Sequence, residues 1–356
     1  MTKSHIARLV CSTALLGTAV GCAATEPPAA GPAARTVHPG ESIQRAVDAA
    51  RTGDTIALSP GTYRESVRIT TSGLTLRGTG TDTVISPAAP SSSNACAKAG
   101  SGICVEGTSG RPVEDTTIES LTVAGFPRNG VWSAWTDRLT VRQVTAEKNG
   151  QWGIAQEHST HGALLDNTAR SSGNAGLYIA NTATTAEAAA LDTQGTVLTR
   201  NRLQDNRVGI TLRRVRDLTV ASNDVTGNCA AVFVIGDENK PRAGALTVSD
   251  NFIHANNKVC PAAGRLPVIQ GAGIVLSGVE DTQVTRNVIT DNAGSSPYAG
   301  GVVLFKSMVG IPGARNRVTG NTLKHNSPAD LVDADKGKTN SLQGNTCQVS
   351  KPAGLC

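Results

Sequence analysis

From Gly102 onward the chain repeats one pattern of apolar and polar positions. A glycine, an aliphatic residue, a variable residue and a second aliphatic residue form a strand. A polar turn, a second apolar strand, an Asn, a brief third strand and another Asn follow. The first strands begin Gly130-Val131-Trp132, Gly153-Ile154-Ala155, Gly176-Leu177-Tyr178, Gly209-Ile210-Thr211, Ala231-Val232-Phe233, Gly273-Ile274-Val275 and Gly301-Val302-Val303. Second strands include Leu139-Thr140-Val141, Leu218-Thr219-Val220 and Leu246-Thr247-Val248, and a terminal copy lies near Asp330. The copies recur at roughly 22 to 28 residues, stretched by insertions. Short strands with no helical period between them predict an all-β solenoid. In it each strand pairs in parallel with its copy about 4.8 Å above.

Strand alternation sorts the first strand into columns. Ile103, Val131, Ile154, Leu177, Ile210, Val232, Ile274, Val302 and Leu331 are aliphatic throughout and are expected in the core. The third position then faces outward, bringing Trp132, Ala155, Tyr178, Thr211, Phe233 and Val275 to one face. Two Asn columns accompany the strands: Asn167, Asn201, Asn223, Asn251, Asn287, Asn321 and Asn345, and Asn149, Asn174, Asn206, Asn228, Asn256, Asn292 and Asn326. These Asn residues are expected to take the left-handed conformation of a sharp bend and to hydrogen-bond from coil to coil.

Both ends look capped. Ser42 to Ala50 has apolar residues at Ile43, Ala46, Val47 and Ala50, the spacing of an amphipathic helix that would cover the open N-terminal core. Thr52 to Tyr63 would start the first coils. Six cysteines fall in near pairs, and sequential pairing (Cys96–Cys104, Cys229–Cys260, Cys347–Cys356) would clip three local excursions, the last tying off the C-terminal end.

Composition agrees with a turn-rich β fold: aromatics are only 3% of residues, and Gly is abundant. Lys3 and Arg8 followed by the apolar run Leu9 to Val20 read as an exported protein's leader over residues 1–21. Ala19-Val20-Gly21-Cys22 resembles the bacterial lipobox, which implies lipidation of Cys22 and a membrane anchor. Ordinary cleavage after Ala23 or Ala24, giving a secreted protein, is the alternative. The Pro- and Ala-rich stretch that follows reads as a tether over 22–36, leaving 37–356 as the solenoid domain. Without the leader the formal charge is about +3 and unclustered, so nucleic acid is not an expected partner. A monomer is expected.

The repeat, with the passage Thr52-Gly53-Asp54-Thr55-Ile56-Ala57-Leu58-Ser59-Pro60-Gly61-Thr62-Tyr63, resembles the right-handed parallel β-helix (pectate-lyase-like) superfamily from about Val37 to Cys347. The resemblance implies a right-handed solenoid, a carbohydrate partner and a substrate groove along the outer face of the first strand. Trp132, Trp135, Tyr178, Asn181, Arg214 and Phe233 are the candidate ligand-binding residues, either forming a cleft or lying under long loops. Arg213, Glu157, His158 and Lys306 are the candidate catalytic residues.

A lyase or epimerase of this architecture removes a proton beside a uronate carboxylate. Arg213, Arg214 or Lys306 would then be the base, and Glu157 with Glu106 could help hold Ca²⁺; no cofactor is otherwise required. Glycoside hydrolysis needs facing carboxylates, and Glu157 has none on adjacent coils. Mannuronan epimerases carry Tyr-Gly-Phe-Asp-Pro-His-Asp where this chain reads Trp152-Gly153-Ile154-Ala155-Gln156-Glu157-His158, so Ala155 replaces the Asp. Glu157-His158-Ser159-Thr160-His161 reads as a solvated turn or, alternatively, a Zn²⁺ or Cu²⁺ site. The leading expectation is polysaccharide binding. Lyase or epimerase activity on an acidic glycan, and a structural or metal-linked envelope role, are the alternatives.

Overall fold

A computed structural model describes residues 31–88, 94–181, 188–264 and 266–356. The leader, Cys22 and most of the tether lie outside the described residues. The part spanning Pro32–Cys356 forms one compact unit. Three parallel sheets wrap a single core: eleven first strands from Val67–Ile69 to Ser350–Lys351, eleven second strands from Ala34–Val37 to Arg317–Thr319, and ten third strands from Gly61–Arg64 to Thr322–Lys324. Every pairing within these sheets joins one coil to the next, as in Val131↔Ile154↔Leu177↔Ile210↔Val232↔Ile274↔Val302↔Leu331. That column is wholly buried, as its unbroken aliphatic character requires.

The glycines heading the first strands have a steric cause. A Cβ on Gly153 would stand 2.6 Å from the Gly176 carbonyl oxygen of the next coil, closer than any side chain is tolerated. Ala231 is the one departure among the strands quoted above.

The amphipathic segment folds as an α-helix over Ile43–Asp48 with Ser42 as N-cap, burying Ile43, Ala46 and Val47. Ala50 falls beyond its end. The residues before it are also ordered: Ala34–Val37 pairs with Thr55–Leu58, so folded chain begins three residues ahead of the expected boundary at 37. The three cysteine pairs are disulfides, Cys96–Cys104, Cys229–Cys260 and Cys347–Cys356.

The asparagine columns differ from expectation in two ways. The left-handed residue is the one before the Asn: Asp166, Arg200, Ser222, Asp250 and Arg286 have φ of 55–58°. Each Asn instead turns its amide inward as a buried ladder. Asn251 Oδ1 accepts from both Asn223 N (3.0 Å) and Asn223 Nδ2 (2.9 Å), while Asn251 Nδ2 donates to Val220 O (3.0 Å) and to Asn287 Oδ1 (2.8 Å). The ladder therefore satisfies the backbone groups that each corner breaks out of the sheet. The second difference is register. Ser172, not Asn174, occupies the other column, its backbone N–H donating to Asn206 Oδ1 at 2.9 Å, and Asn174 lies exposed two residues on. A further short ladder, Thr282–Asn316–Asn340, closes the last coils.

The exposed corners carry ion pairs between coils. Arg200 grips Asp166, Arg286 grips Asp250 and Arg315 grips Asp281, each through two guanidinium nitrogens. Solvent screens them, so each contributes little.

Asn251→Ala is expected to lower stability by about 3 kcal/mol, because it strands the Asn223 N–H and the Val220 carbonyl in the interior. Asn174→Ala should change it by less than about 0.5 kcal/mol. Equilibrium urea unfolding of both variants distinguishes a ladder residue from a surface one, and equal losses would contradict the register described.

Candidate functional site

The outer face of the first-strand sheet carries a second apolar cluster, separate from the solenoid core. Trp152, Ala155, Tyr178, Val208, Phe233, Val275, Val303 and Tyr298 belong to it, with Trp132 packed against its edge. Its N-terminal part is an aromatic stack. Trp152 lies face to face between Trp132 (centroids 5.7 Å apart, planes 15°) and Tyr178 (4.1 Å, 6°). In the strand register Trp132 and Tyr178 flank Ala155. The small Ala155 side chain leaves a gap between the two rings, and the Trp152 indole, from three residues earlier in the strand, fills it. The position where the resemblance placed a catalytic Asp is thus an alanine roofed by tryptophan.

The C-terminal part is covered by insertions. Cys260 is tied to Cys229, and the excursion beyond it returns through a narrow antiparallel hairpin, Cys260 opposite Ile269 and Ala263 opposite Leu266. Tyr298 packs edge-on against Phe233 (5.1 Å, 70°) and Phe305 (4.9 Å, 71°). Val275 and Val303 lie beneath with no exposed surface.

Between the two parts a cleft of about 420 Å³ opens. Its floor is Tyr178, Thr211 and Phe233, neighbours on three consecutive coils. Arg128, Gln151 and Asn174, stacked at the strand starts, form one edge, with Trp152 beside them. Arg213, Arg214, Ile235 and Asp237 form the opposite edge, and Ala263, Leu266, Met308 and Val309 overhang it. The lining residues include three guanidiniums and one carboxylate. Arg214 pairs with Asp237, which also accepts from Asn239 N at 3.0 Å. Arg128 Nε donates to Gln151 Oε1 at 3.0 Å. Burial pushes the Tyr178 hydroxyl above its ordinary pKa, opposed by the adjacent Arg213 guanidinium, so the phenol is protonated at neutral pH.

The structure divides the residues singled out from sequence. Tyr178, Phe233, Arg213 and Arg214 meet in the cleft. Trp132 stands behind the stack, outside it. Trp135, His158 and Asn181 occupy a column at the strand ends, with Arg214 next in register, and do not line the cleft. His158 stacks on Trp135 (4.3 Å, 8°); its burial holds its pKa below the usual imidazole value, opposed by a hydrogen bond with Asn181, so the ring is neutral at pH 7. His161 turns away to Asp137 (Nδ1···Oδ1 2.5 Å), so the two imidazoles do not converge. Glu157 is buried two coils from Arg213, with Ala180 between. Glu106 lies two coils to its other side, beyond Ala134, and accepts from Arg68 Nε at 2.7 Å. These two carboxylates cannot share a Ca²⁺ ion. Lys306 is exposed, three coils from Arg213 and outside the cleft. Among the described residues no group of three His, Cys, Asp or Glu could hold a metal ion. The candidate residues read from sequence do not include Trp152 and Arg128, and Thr211 is read there as a member of the outward column without a ligand-binding role. The Ala at 155 between two aromatic neighbours was the signal that could have found Trp152.

The family model described as "Right handed beta helix region" matches residues 73–253 and 188–356. No curated protein matches the sequence significantly. Among solved structures, the A-module of Azotobacter vinelandii mannuronan C-5 epimerase AlgE4 is similar at 18% identity, with 86% of this chain and 90% of that one covered and a TM-score of 0.57. The AlgE6 A-module of the same organism gives 20%, 86%, 94% and 0.53. The Dettilon tailspike protein gives 13%, 88%, 68% and 0.55. At these identities the likeness is one of fold.

Trp152→Ala should cost roughly 3–5 kcal/mol, since it empties a buried slot between two rings. Chemical unfolding measures the loss. A loss below about 1 kcal/mol would show that the stack does not hold the face together.

Proposed function

This chain belongs to the right-handed β-helix family, and from that premise we propose that its outer cleft binds an acidic polysaccharide. The observation that carries the reading is the pairing of aromatic floor with guanidinium edge: Tyr178 and Phe233 below, and Arg213, Arg214 and Arg128 around them, with Asp237 the one carboxylate among the described lining residues. The ring atoms that reach the opening suit the C–H groups of a sugar, and guanidinium matches a carboxylate or sulfate in two-point geometry. Similar folds named for acting on mannuronan agree with a glycan ligand.

Binding without bond cleavage is the form of the reading that the side chains support. Arg213 is a permanent cation and a poor base, His158 lies outside the cleft, and Ala155 supplies no carboxylate. Lyase or epimerase action is the second form, favoured by the protonated Tyr178 hydroxyl beside Arg213: once a base has taken the C5 proton of a uronate, that hydroxyl would protonate C5 in an epimerase, or the glycosidic oxygen that leaves C4 in a lyase. Export through the leader and anchoring by a lipidated Cys22 complete the proposal, supported by three disulfides of the kind that persist in oxidising compartments.

Binding is tested by calorimetry against polygalacturonate, polymannuronate and neutral dextran. The acidic polymers are expected to bind, more weakly as salt rises, and Arg213→Gln to weaken them about tenfold. Equal binding of dextran, or no effect of Arg213→Gln, would overturn the reading. Ultraviolet absorbance of an unsaturated uronate, followed with and without Ca²⁺, would instead establish the lyase form. Separately, full-length protein expressed in a bacterium should sediment with membranes and Cys22→Ser should not. A soluble wild type would remove the anchor from the proposal.

A further inference from the structure

We infer that the cleft is a pocket for a short anionic sugar segment, the end of a chain, and not one stretch of a groove that a polymer follows along the solenoid. The inference rests on the reading of the cleft as an acidic-glycan site and concerns how the glycan enters it.

A polymer running along the first-strand sheet must pass over the third-position column on coil after coil. That column is obstructed on both sides of the opening. On the N-terminal side stands the stack of Trp132, Trp152 and Tyr178. The two centroid separations, 5.7 and 4.1 Å, together span about two coil rises of ~4.8 Å each. The stacking direction is therefore the solenoid axis, and the rings stand on edge across the path with their faces toward one another. Trp152 and Tyr178 are only 4% and 5% exposed, so neither offers a free face along which a sugar ring could lie in passing. On the C-terminal side Val275 and Val303, the next two residues of the column, lie under the layer that includes Tyr298 and the disulfide-tied excursion.

The opening itself has a simple origin. Thr211 is the small residue between Tyr178 and Phe233 in register, so the two rings rise from strands about 9.6 Å apart, two coil rises, with a low floor between them. At Ala155 the equivalent gap is filled from within by Trp152. At Thr211 the residue in the place of Trp152 is Val208, too short to reach across. Arg213 follows Thr211 by two residues on the same outward side. The Trp152 indole N–H, buried at the cleft border, has no hydrogen-bond partner among the described residues, and a buried donor without an acceptor carries a penalty that a ligand oxygen would relieve. A volume of 420 Å³ is at the small end of ligand pockets, about 300–1,000 Å³, and suits a few sugar residues that enter from outside and stop.

The experiment is a length series. Galacturonate and mannuronate as monomer, trimer and hexamer, and the two parent polymers, are titrated into the full chain at equal molar concentration of chains. The pocket predicts that affinity per chain levels off by the trimer, with the hexamer and polymer within about threefold of it, and that one polymer chain binds through its ends at a stoichiometry independent of its length. Thr211→Trp, which raises the floor, should abolish trimer binding while the circular dichroism spectrum and unfolding midpoint stay those of the wild type. Should Thr211→Trp unfold the chain, the length series decides alone. A hexamer that binds tenfold or more tighter than the trimer, or a polymer that binds many copies along its length, would overturn the pocket and leave the glycan reading standing. No binding by oligomer or polymer to folded protein would overturn that reading and the pocket with it.

Discussion

Every coil in this protein hydrogen-bonds to the same lateral positions of the coil on either side, in parallel and at a separation of about 4.8 Å. That constraint reaches well beyond the strands. A corner that breaks one strand from the next must break at the same place in every copy, and it exposes the same carbonyl and N–H groups each time. The asparagine ladder is the chain's answer to those groups. Where Asn follows Asn, the buried amide accepts two bonds from the preceding coil and donates to a carbonyl on it, so the corner is as well satisfied as the sheet it interrupts. Once this register is set, the neighbours of any outward side chain are known: one on the coil before, one on the coil after.

Function on such a surface is governed by what is missing from a column as much as by what is present. A large ring on every coil would give a closed stack, and a small residue on every coil a flat face. Here small residues fall at Ala155 and Thr211, and their fates differ because of a residue three positions earlier in the same strand. Trp152 can bend over Ala155 and complete a three-ring stack, whereas Val208 cannot bridge the space above Thr211. The same architectural gap becomes a wall in one coil and a cleft two coils further on. The insertions then enclose what the columns leave open, with the Cys229–Cys260 disulfide holding the base of one of them against the sheet.

The solenoid was legible in the sequence because its determinants are periodic and local. The aliphatic second column from Ile103 to Leu331, the corner asparagines and the paired cysteines all stand where spacing alone puts them. The exceptions have physical reasons. Asn174 was assigned to a ladder that Ser172 occupies, because a hydroxyl can fill a corner without the amide's signature and an adjacent Asn makes a decoy. The left-handed conformation was placed on the asparagines, whereas it belongs to the residues before them, whose identities vary (Asp166, Arg200, Ser222) and so carry no pattern. The candidate site was legible only as a face. Which of its residues meet depends on side chains leaning across coils and on loops returning from distant corners, neither of which has a period. That is why Trp135, His158 and Lys306 share the expected face with Arg213 yet lie outside the cleft, and why Ala263, Leu266 and Met308 line it from segments outside the repeated strands.

The charge state of the cleft bears on what it can do. The ionic groups among its described lining residues are the guanidiniums of Arg128, Arg213 and Arg214 and the Asp237 carboxylate, which is engaged by Arg214 and by the Asn239 backbone. Burial keeps the Tyr178 phenol protonated and Arg213 sits against it, so at neutral pH that pair presents hydrogen-bond donors. The His158 imidazole is stacked on Trp135 outside the opening, and its burial disfavours the charged form. Guanidiniums and a protonated phenol around one opening support the proposed acidic ligand, an anion that arrives already formed. Generating a carbanion demands the opposite, a free base pointed at a C–H bond. Recognition of an acidic sugar draws on the donors that the described lining residues supply, whereas conversion would draw in addition on a base at the C–H bond.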